Sequence, residues 1–299
     1  MSGRHELVRD DGRTVVFDEV GDPDGRAVVF LHGTPDSRLA RHPDDDVAAR
    51  AGIRLLALDR PGYGGTSPAC GGDAAADTDA DAVVGDLAAV LDDRGVETVA
   101  VLAWSGGALA GLAAATAPEL ARRIGVLHVV AGVVPRDAHD DPDVRRAIGT
   151  RSSLVEMGEG LAPRDLAEAV APLLAPCPCD HDLALEHQRD LRAADDHAAL
   201  APIDGALDRL ADALVEATRQ GLAGVEADIE AQVGPFPVSL SEVQVPVHLW
   251  YGSADTVTPS AFGEWYARQL PRAALHVVAG AGHYLPFTHW SLLLGALAG

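Results

Sequence analysis

Lysine and asparagine are both missing from this chain. All 23 basic residues are arginine, set against 45 acidic ones, so the formal net charge is −22 at pH 7 over 299 residues. A general grip on a phosphate backbone needs clustered cations, which excludes nucleic acid as the expected partner. An anionic membrane surface would repel the chain as well. Cysteine is scarce: Cys70, Cys177 and Cys179 are too few for a disulfide framework and fit a reducing compartment. The opening Met-Ser-Gly-Arg-His-Glu has no apolar run of the kind a secretory signal carries, so a cytoplasmic location is expected. Aromatic residues make up only 4%. One stretch, residues 99–117, runs 19 positions without a charge, the length of a membrane span. It is rich in Ala and Gly and is broken by Trp104-Ser105-Gly106-Gly107, which reads instead as a buried strand followed by a buried helix.

What is present is a globular sequence, 47% hydrophobic and 23% charged. The length suits one large α/β domain, or such a domain with an insertion. Short apolar runs recur at residues 27–31, 54–58, 99–103, 126–130, 245–251 and 275–278. Several are continuous rather than alternating, as in strands buried on both faces of a parallel sheet. Between them lie helical patterns. Val83, Val84, Leu87, Val90 and Leu91 fall on one face of a helix over 79–94, and Gly95 stops it. Repeating strand–helix units imply a doubly wound, mostly parallel sheet. From Val130 to Val245 no strand pattern appears. That segment is rich in Ala, Leu, Asp and Arg, with Leu207, Leu210, Leu214 and Val215 marking a helix. It is read as a helical insertion over residues 135–241, set above the carboxyl ends of the strands, where such sheets bind ligands.

The chemistry centres on Val99-Ala-Val-Leu-Ala-Trp-Ser-Gly-Gly107. An apolar strand meets an Ala/Gly helix at Ser105, and the small residues Ala103 and Gly107 permit a sharp turn that thrusts the hydroxyl into the open. The helix N-terminus favours negative charge nearby. Taken by itself the segment is equally compatible with an N-cap serine in a tight turn. Phe30-Leu-His-Gly-Thr-Pro35 follows another strand and can aim a backbone N–H at an oxyanion. Asp59-Arg-Pro-Gly-Tyr-Gly-Gly-Thr-Ser67 follows the next.

With these turns the chain resembles the α/β-hydrolase fold family over nearly its whole length outside the insertion. The G-x-S-x-G elbow is present with Ala103 in place of its first Gly. The resemblance implies an α/β-hydrolase fold with a core of residues 1–134 and 242–299. A helical cap, 135–241, is implied after the sixth strand. It implies Ser105 as nucleophile, Asp255 in Tyr251-Gly-Ser-Ala-Asp255 as the acid and His283 in Ala279-Gly-Ala-Gly-His283 as the base. The order Ser, Asp, His is that of the family. The backbone N–H groups of Thr34 and Gly106 would form the oxyanion hole. His32, Gly33 and Trp104 are expected near substrate, although His32 and Trp104 could equally be packing residues. Asp59 and Arg60 read as scaffolding. As plain structure, Asp255 would be a helix cap before Thr258-Pro259, and His283 a loop histidine.

Ser at position 105 argues against epoxide hydrolases and haloalkane dehalogenases, which use Asp. It leaves acyl transfer: a carboxylesterase or lactonase first, with thioesterase or an aminopeptidase resembling proline iminopeptidases as alternatives. A ligand receptor on the same fold stands as a reading from a different class. The expected partner is a small ester, with no cofactor and no metal, in a monomer or homodimer. Cys177-Pro-Cys179-Asp-His181 could offer three metal ligands, but a CxC pair without a second ligand pair is a weak signal.

A lack of Lys and Asn is what a GC-rich genome produces, yet codon bias does not by itself account for −22. Self-repulsion at that charge opposes compaction, and salt screens it. The composition resembles that of halophilic proteins. The melting temperature should therefore rise steeply from low to molar KCl in a thermal scan. A flat response would remove the halophile reading.

Overall fold

The computed structural model describes residues 3–69, 79–149, 154–175, 180–190 and 194–298. Among these residues eight strands form one sheet: β1 (Gly3–Val8), β2 (Thr14–Gly21), β3 (Arg26–Leu31), β4 (Ile53–Leu58), β5 (Val99–Trp104), β6 (Ile124–Val130), β7 (Val247–Gly252) and β8 (Ala273–Val278). Their spatial order is β1-β2-β4-β3-β5-β6-β7-β8. β1 with β2 and β2 with β4 are antiparallel, and every later neighbour is parallel. The result is the α/β-hydrolase fold expected from the strand-end turns.

Period two explains why the central runs are continuously apolar. On β3, Val29 and Leu31 enter one core with Leu87 and Val90 of the helix Asp79–Asp93. Val28 and Phe30 enter the other, with Leu293 and Leu297 of the helix Trp290–Ala298. Full burial of each such side chain stabilises the fold by roughly 1.5–3 kcal/mol. The helix Gly107–Thr116 is built almost wholly of Ala, Gly and Leu because it lies hard against the sheet. A Cβ on its Gly111 would stand 2.8 Å from the Cβ of Ala103.

Two strands escape the apolar-run reading. β1 is an edge strand whose residues alternate between half-buried and exposed. In β2 the buried run Val15, Val16, Phe17 is interrupted by Asp18, whose carboxylate is buried against Arg38 and Arg41. The strand expected at 245–251 begins at Val247, because Pro246 has no N–H for the ladder. With β1 and β2 counted, β6 is the sixth strand. Among the described residues, everything between β6 and β7 is helical or irregular, including the helices Ala206–Ala217 and Ala223–Val233. No helix among them is long and apolar enough to cross a membrane.

A row of histidines crosses the sheet at β6, β7 and β8. His128 lies in register with His248, their rings 4.8 Å apart, and His248 Nδ1 lies 3.0 Å from His276 Nε2. His128 is buried, and neither ring nitrogen has a hydrogen-bond partner among the described residues. Burial, helped by the charges of His248 and His276, pushes its pKa down to about 3. The unfolded chain therefore takes up this proton near pH 6.5 while the folded one does not. Stability linked to His128 is full above pH 6.5 and is lost as pH falls toward about 3, by about 1.4 kcal/mol per pH unit. Denaturant titrations of wild type and His128→Leu should thus show a stability difference that shifts against wild type through that window. A pH-independent difference would refute the linkage.

Candidate active site

The parallel strands deliver their carboxyl ends to one edge of the sheet, and the loops that follow β3, β5, β7 and β8 meet there. β5 ends at Trp104 and the chain reverses at Ser105, whose φ is +52°, before the helix begins at Gly107. A non-glycine residue in this region costs roughly 1–2 kcal/mol. It is held by its own backbone: the Ser105 N–H donates to Val130 O at 3.0 Å, and its carbonyl accepts from Ala108 and Val133. The sequence permits the turn because the neighbours are small. A Cβ on Gly107 would lie 2.6 Å from the carbonyl oxygens of Leu31 and His32, and one on Gly106 would lie 2.1 Å from Thr34 Oγ1.

The loops after β7 and β8 are tied together by Ser253 N–H to Val278 O and Ala254 N–H to Ala281 O. They bring Asp255 and His283 to the same place. His283 Nε2 stands 3.1 Å from Ser105 Oγ, and His283 Nδ1 stands 3.0 Å from Asp255 Oδ2. All three side chains are buried. Asp255 accepts the backbone N–H groups of Val257 and Thr258 at 2.8 and 2.9 Å, and the Thr258 hydroxyl lies 2.8 Å from its other oxygen. Burial pushes the Asp255 pKa up, but the charge of His283 and these hydrogen bonds more than offset it and hold the carboxyl below its ordinary range. For His283 burial acts downward, and the Asp255 charge and hydrogen bond outweigh it, with Asp196 and Asp36 adding to the lift. A histidine raised in this way, bonded to a carboxylate on one side and a hydroxyl on the other, can take a proton from that hydroxyl.

Thr34 and Gly106 sit together across the serine. An added Cβ on Gly106 would be 3.4 Å from Thr34 N, and among the described residues neither amide N–H has a hydrogen-bond acceptor. Two unpaired backbone donors beside a hydroxyl are what a developing oxyanion requires. Gly33 lies against the serine, with room for only a hydrogen: a Cβ there would be 3.0 Å from Ser105 Cβ. A cavity of about 730 Å³ opens at Gly106 and is lined by Leu109, Ala110, Ala223, Ala227 and Phe236 among others.

His32 and Trp104 hold the site from beneath rather than facing this cavity. His32 has no exposed surface. Its Nδ1 donates to Gly33 O at 2.8 Å and its Nε2 accepts the Arg60 N–H at 3.1 Å. Burial, reinforced by the Arg60 charge, keeps it neutral by driving its pKa well down. Trp104 Nε1 donates to His283 O at 3.2 Å, and its ring packs 5.7 Å from that of His283. Asp59 is buried against Arg38 at 2.7 Å and accepts its backbone N–H. Cys177 and Cys179 lie outside the described residues, as does Cys70. His181, their would-be companion, is 2.9 Å from Asp212.

One residue carries no sequence signal and yet reaches the site. Asp228, from the helix Ala223–Val233, is buried and accepts the Thr34 hydroxyl, the Tyr63 hydroxyl at 2.5 Å and Arg60 Nη1 and Nη2 at 2.5 and 2.6 Å. In a chain with 32 aspartates it does not stand out. The available hint is its place beside Val225 and Ile229 on the buried side of that helix.

Comparison with known proteins agrees with the fold. The model of the "Alpha/beta hydrolase family" matches residues 28–295. The pimeloyl-[acyl-carrier protein] methyl ester esterase of Chromobacterium violaceum is 26% identical over 269 residues, 90% of this chain and 89% of that protein. A thermophilic esterase from Thermogutta terrifontis superposes with a TM-score of 0.68 at 19% identity, over 98% of this chain and 96% of that one. A bromoperoxidase from Bacillus anthracis does so at 0.69 and 19%, over 99% and 98%. At such identities the structures speak for the fold alone.

The electrostatic coupling at His283 is directly measurable. In an NMR titration of the His283 imidazole, its pKa should lie above 6.5 in wild type. In Asp255→Asn the lifting charge is gone while the burial remains, so the pKa should fall below 6.5. An unchanged value would mean that Asp255 does not govern the ring.

Proposed function

Because the chain belongs to the alpha/beta hydrolase family, we propose that it is a serine hydrolase that cleaves a carboxylic ester or lactone through an acyl-enzyme on Ser105. The observation that carries this reading is the unbroken relay of Ser105 Oγ to His283 Nε2 at 3.1 Å and His283 Nδ1 to Asp255 at 3.0 Å.

His283 takes the Ser105 proton as Oγ attacks the substrate carbonyl carbon. Asp255 orients the imidazole and stabilises its cation. The carbonyl oxygen becomes an oxyanion between the N–H groups of Thr34 and Gly106; loss of one such donor typically costs about 3 kcal/mol of transition-state stabilisation. The tetrahedral species collapses, the ester C–O bond breaks, and the alcohol leaves with the proton from His283. Water, deprotonated by His283, then attacks the acyl-enzyme and releases the acid and free Ser105. No cofactor enters these steps. Residues 135–241 act as a cap, whose helix Ala223–Val233 contributes to the cavity at Gly106. The Ala, Gly, Pro and Leu residues that make up most of the lining suit a small or aliphatic acyl group. Esterases recur among the similar proteins, and the Chromobacterium violaceum relative acts on a methyl ester by its name.

Amide cleavage in the manner of an aminopeptidase is the second reading. Glu226 and Glu230, which also line the cavity, are the observation that favours it, because carboxylates there could receive a substrate amine.

Hydrolysis of p-nitrophenyl esters of graded chain length, in molar KCl, tests the first reading. Wild type should turn over and should label with a fluorophosphonate. Ser105→Ala should lose at least about 10⁴-fold in kcat and all labelling. If folded wild type neither turns over nor labels, the acyl-enzyme is wrong and a receptor role gains. If it labels but spares esters, amino-acyl arylamides become the substrates to assay.

A further inference from the structure

The helical segment between β6 and β7 does more than roof the cavity: it grips the oxyanion turn. Several contacts fasten it to the core loops, and three of them lie around residues 62–66 and Thr34. Gln220 Nε2 donates to the carbonyl oxygens of Gly64 and Thr66 at 3.0 and 2.6 Å. Gly62 and Gly224 meet backbone to backbone, so that a Cβ on Gly62 would lie 2.6 Å from Gly224 N. The third contact is Asp228. Its carboxylate is acceptor to three residues of two different core turns: Thr34 after β3, and Arg60 and Tyr63 after β4. Arg60 in turn donates to the carbonyl oxygens of His32 and Gly33 at 3.0 Å each, so the same guanidinium clamps the chain on the other side of Thr34.

Thr34 is thereby held at both ends. Its side chain is wedged between Asp228 and the bare Cα of Gly106, and the two peptides before it are fixed by Arg60. The group left unpaired among the described residues is its own N–H, beside Ser105. A short rigid residue with its hydroxyl anchored has little freedom to rotate that N–H. We propose that Asp228 is a positioning residue for catalysis: anchored in the helical segment, it aims the Thr34 N–H through the Thr34 hydroxyl and Arg60. On this view a core without its helical segment holds a relay of Ser105, His283 and Asp255 but an untuned oxyanion hole. The inference rests on the ester-hydrolase reading above.

An interaction acting on the oxyanion affects the transition state and spares ground-state binding. Asp228→Asn keeps shape and removes the charge and one acceptor. It should lower kcat by about 10- to 100-fold, at or below the cost of a lost oxyanion donor, with KM changed less than about threefold. Affinity for a trifluoromethyl ketone, which forms a tetrahedral adduct on an active serine, should fall by the same factor as kcat/KM. Thr34→Val should reproduce the defect and Thr34→Ser should restore most of it. Thr34→Val leaves Asp228 its Arg60 and Tyr63 partners, so it keeps the test alive if Asp228→Asn does not fold. The double variant should be no worse than the poorer single one. A loss confined to KM, a ketone affinity that stays constant while kcat falls, or full activity in Thr34→Val would overturn the proposal. Fluorophosphonate labelling and ester turnover of wild type report on the underlying reading separately: absence of labelling speaks against Ser105 as the nucleophile, and labelling without ester turnover speaks against an ester substrate.

Discussion

The left-handed turn at Ser105 is the constraint from which the site is built. A residue with a side chain at φ +52° is held there because Val130 and Val133, at and beyond the end of β6, bind its N–H and carbonyl. Those two bonds exist because β5 and β6 are parallel neighbours in register up to Trp104 and Val130. The same turn forces glycine at 106 and 107, since any Cβ would strike the chain after β3. Strain in the backbone, close packing of the strand-end loops and exposure of the serine hydroxyl toward His283 are thus one arrangement.

Around that turn, buried charge does the fastening. Arg38 joins Asp18 of β2, Asp59 after β4 and Glu216 of the helix Ala206–Ala217, at 2.8, 2.7 and 2.6 Å. Arg60 and Asp228 form a second such link between a core turn and the helical segment. A buried pair of this kind need not add much net stability, because desolvation offsets most of its attraction. What it does is penalise every arrangement in which one partner is left alone, often by 3–5 kcal/mol. Links of this type specify where the helical segment sits rather than how tightly the whole chain folds. Of the 23 arginines, Arg13, Arg38, Arg41 and Arg60 are buried among the described residues, and Arg38 and Arg60 make these links to the helical segment.

How much was legible depended on whether the signal was local. The central strands could be read because each is apolar on both faces, and the helix Asp79–Asp93 because its buried residues recur at helical spacing. Ser105, Asp255 and His283 could be picked out because each lies in a Gly-rich turn at a strand end, and the structure brings the three within hydrogen-bond distance. β1 and β2 were not legible: one is an exposed edge, and the other carries a buried carboxylate whose partners lie 20 and 23 residues away. His32 and Trp104 were identified as residues at the site, but whether they face substrate or support the relay depends on which atoms their ring nitrogens meet.

The amino-acid pattern by itself determined the mostly parallel sheet and the serine turn, because those follow from periodicity and residue size, while the grouping of Ser105, Asp255 and His283 came from the resemblance of their strand-end turns to those of the family. The tertiary structure alone decided that Asp228 would meet Thr34, 194 positions away, and that His128 would be buried without a hydrogen-bond partner among the described residues. The reason is physical: a carboxylate or an imidazole has no fixed role until folding sets its burial and its neighbours, and in this chain those neighbours come from opposite ends of the sequence.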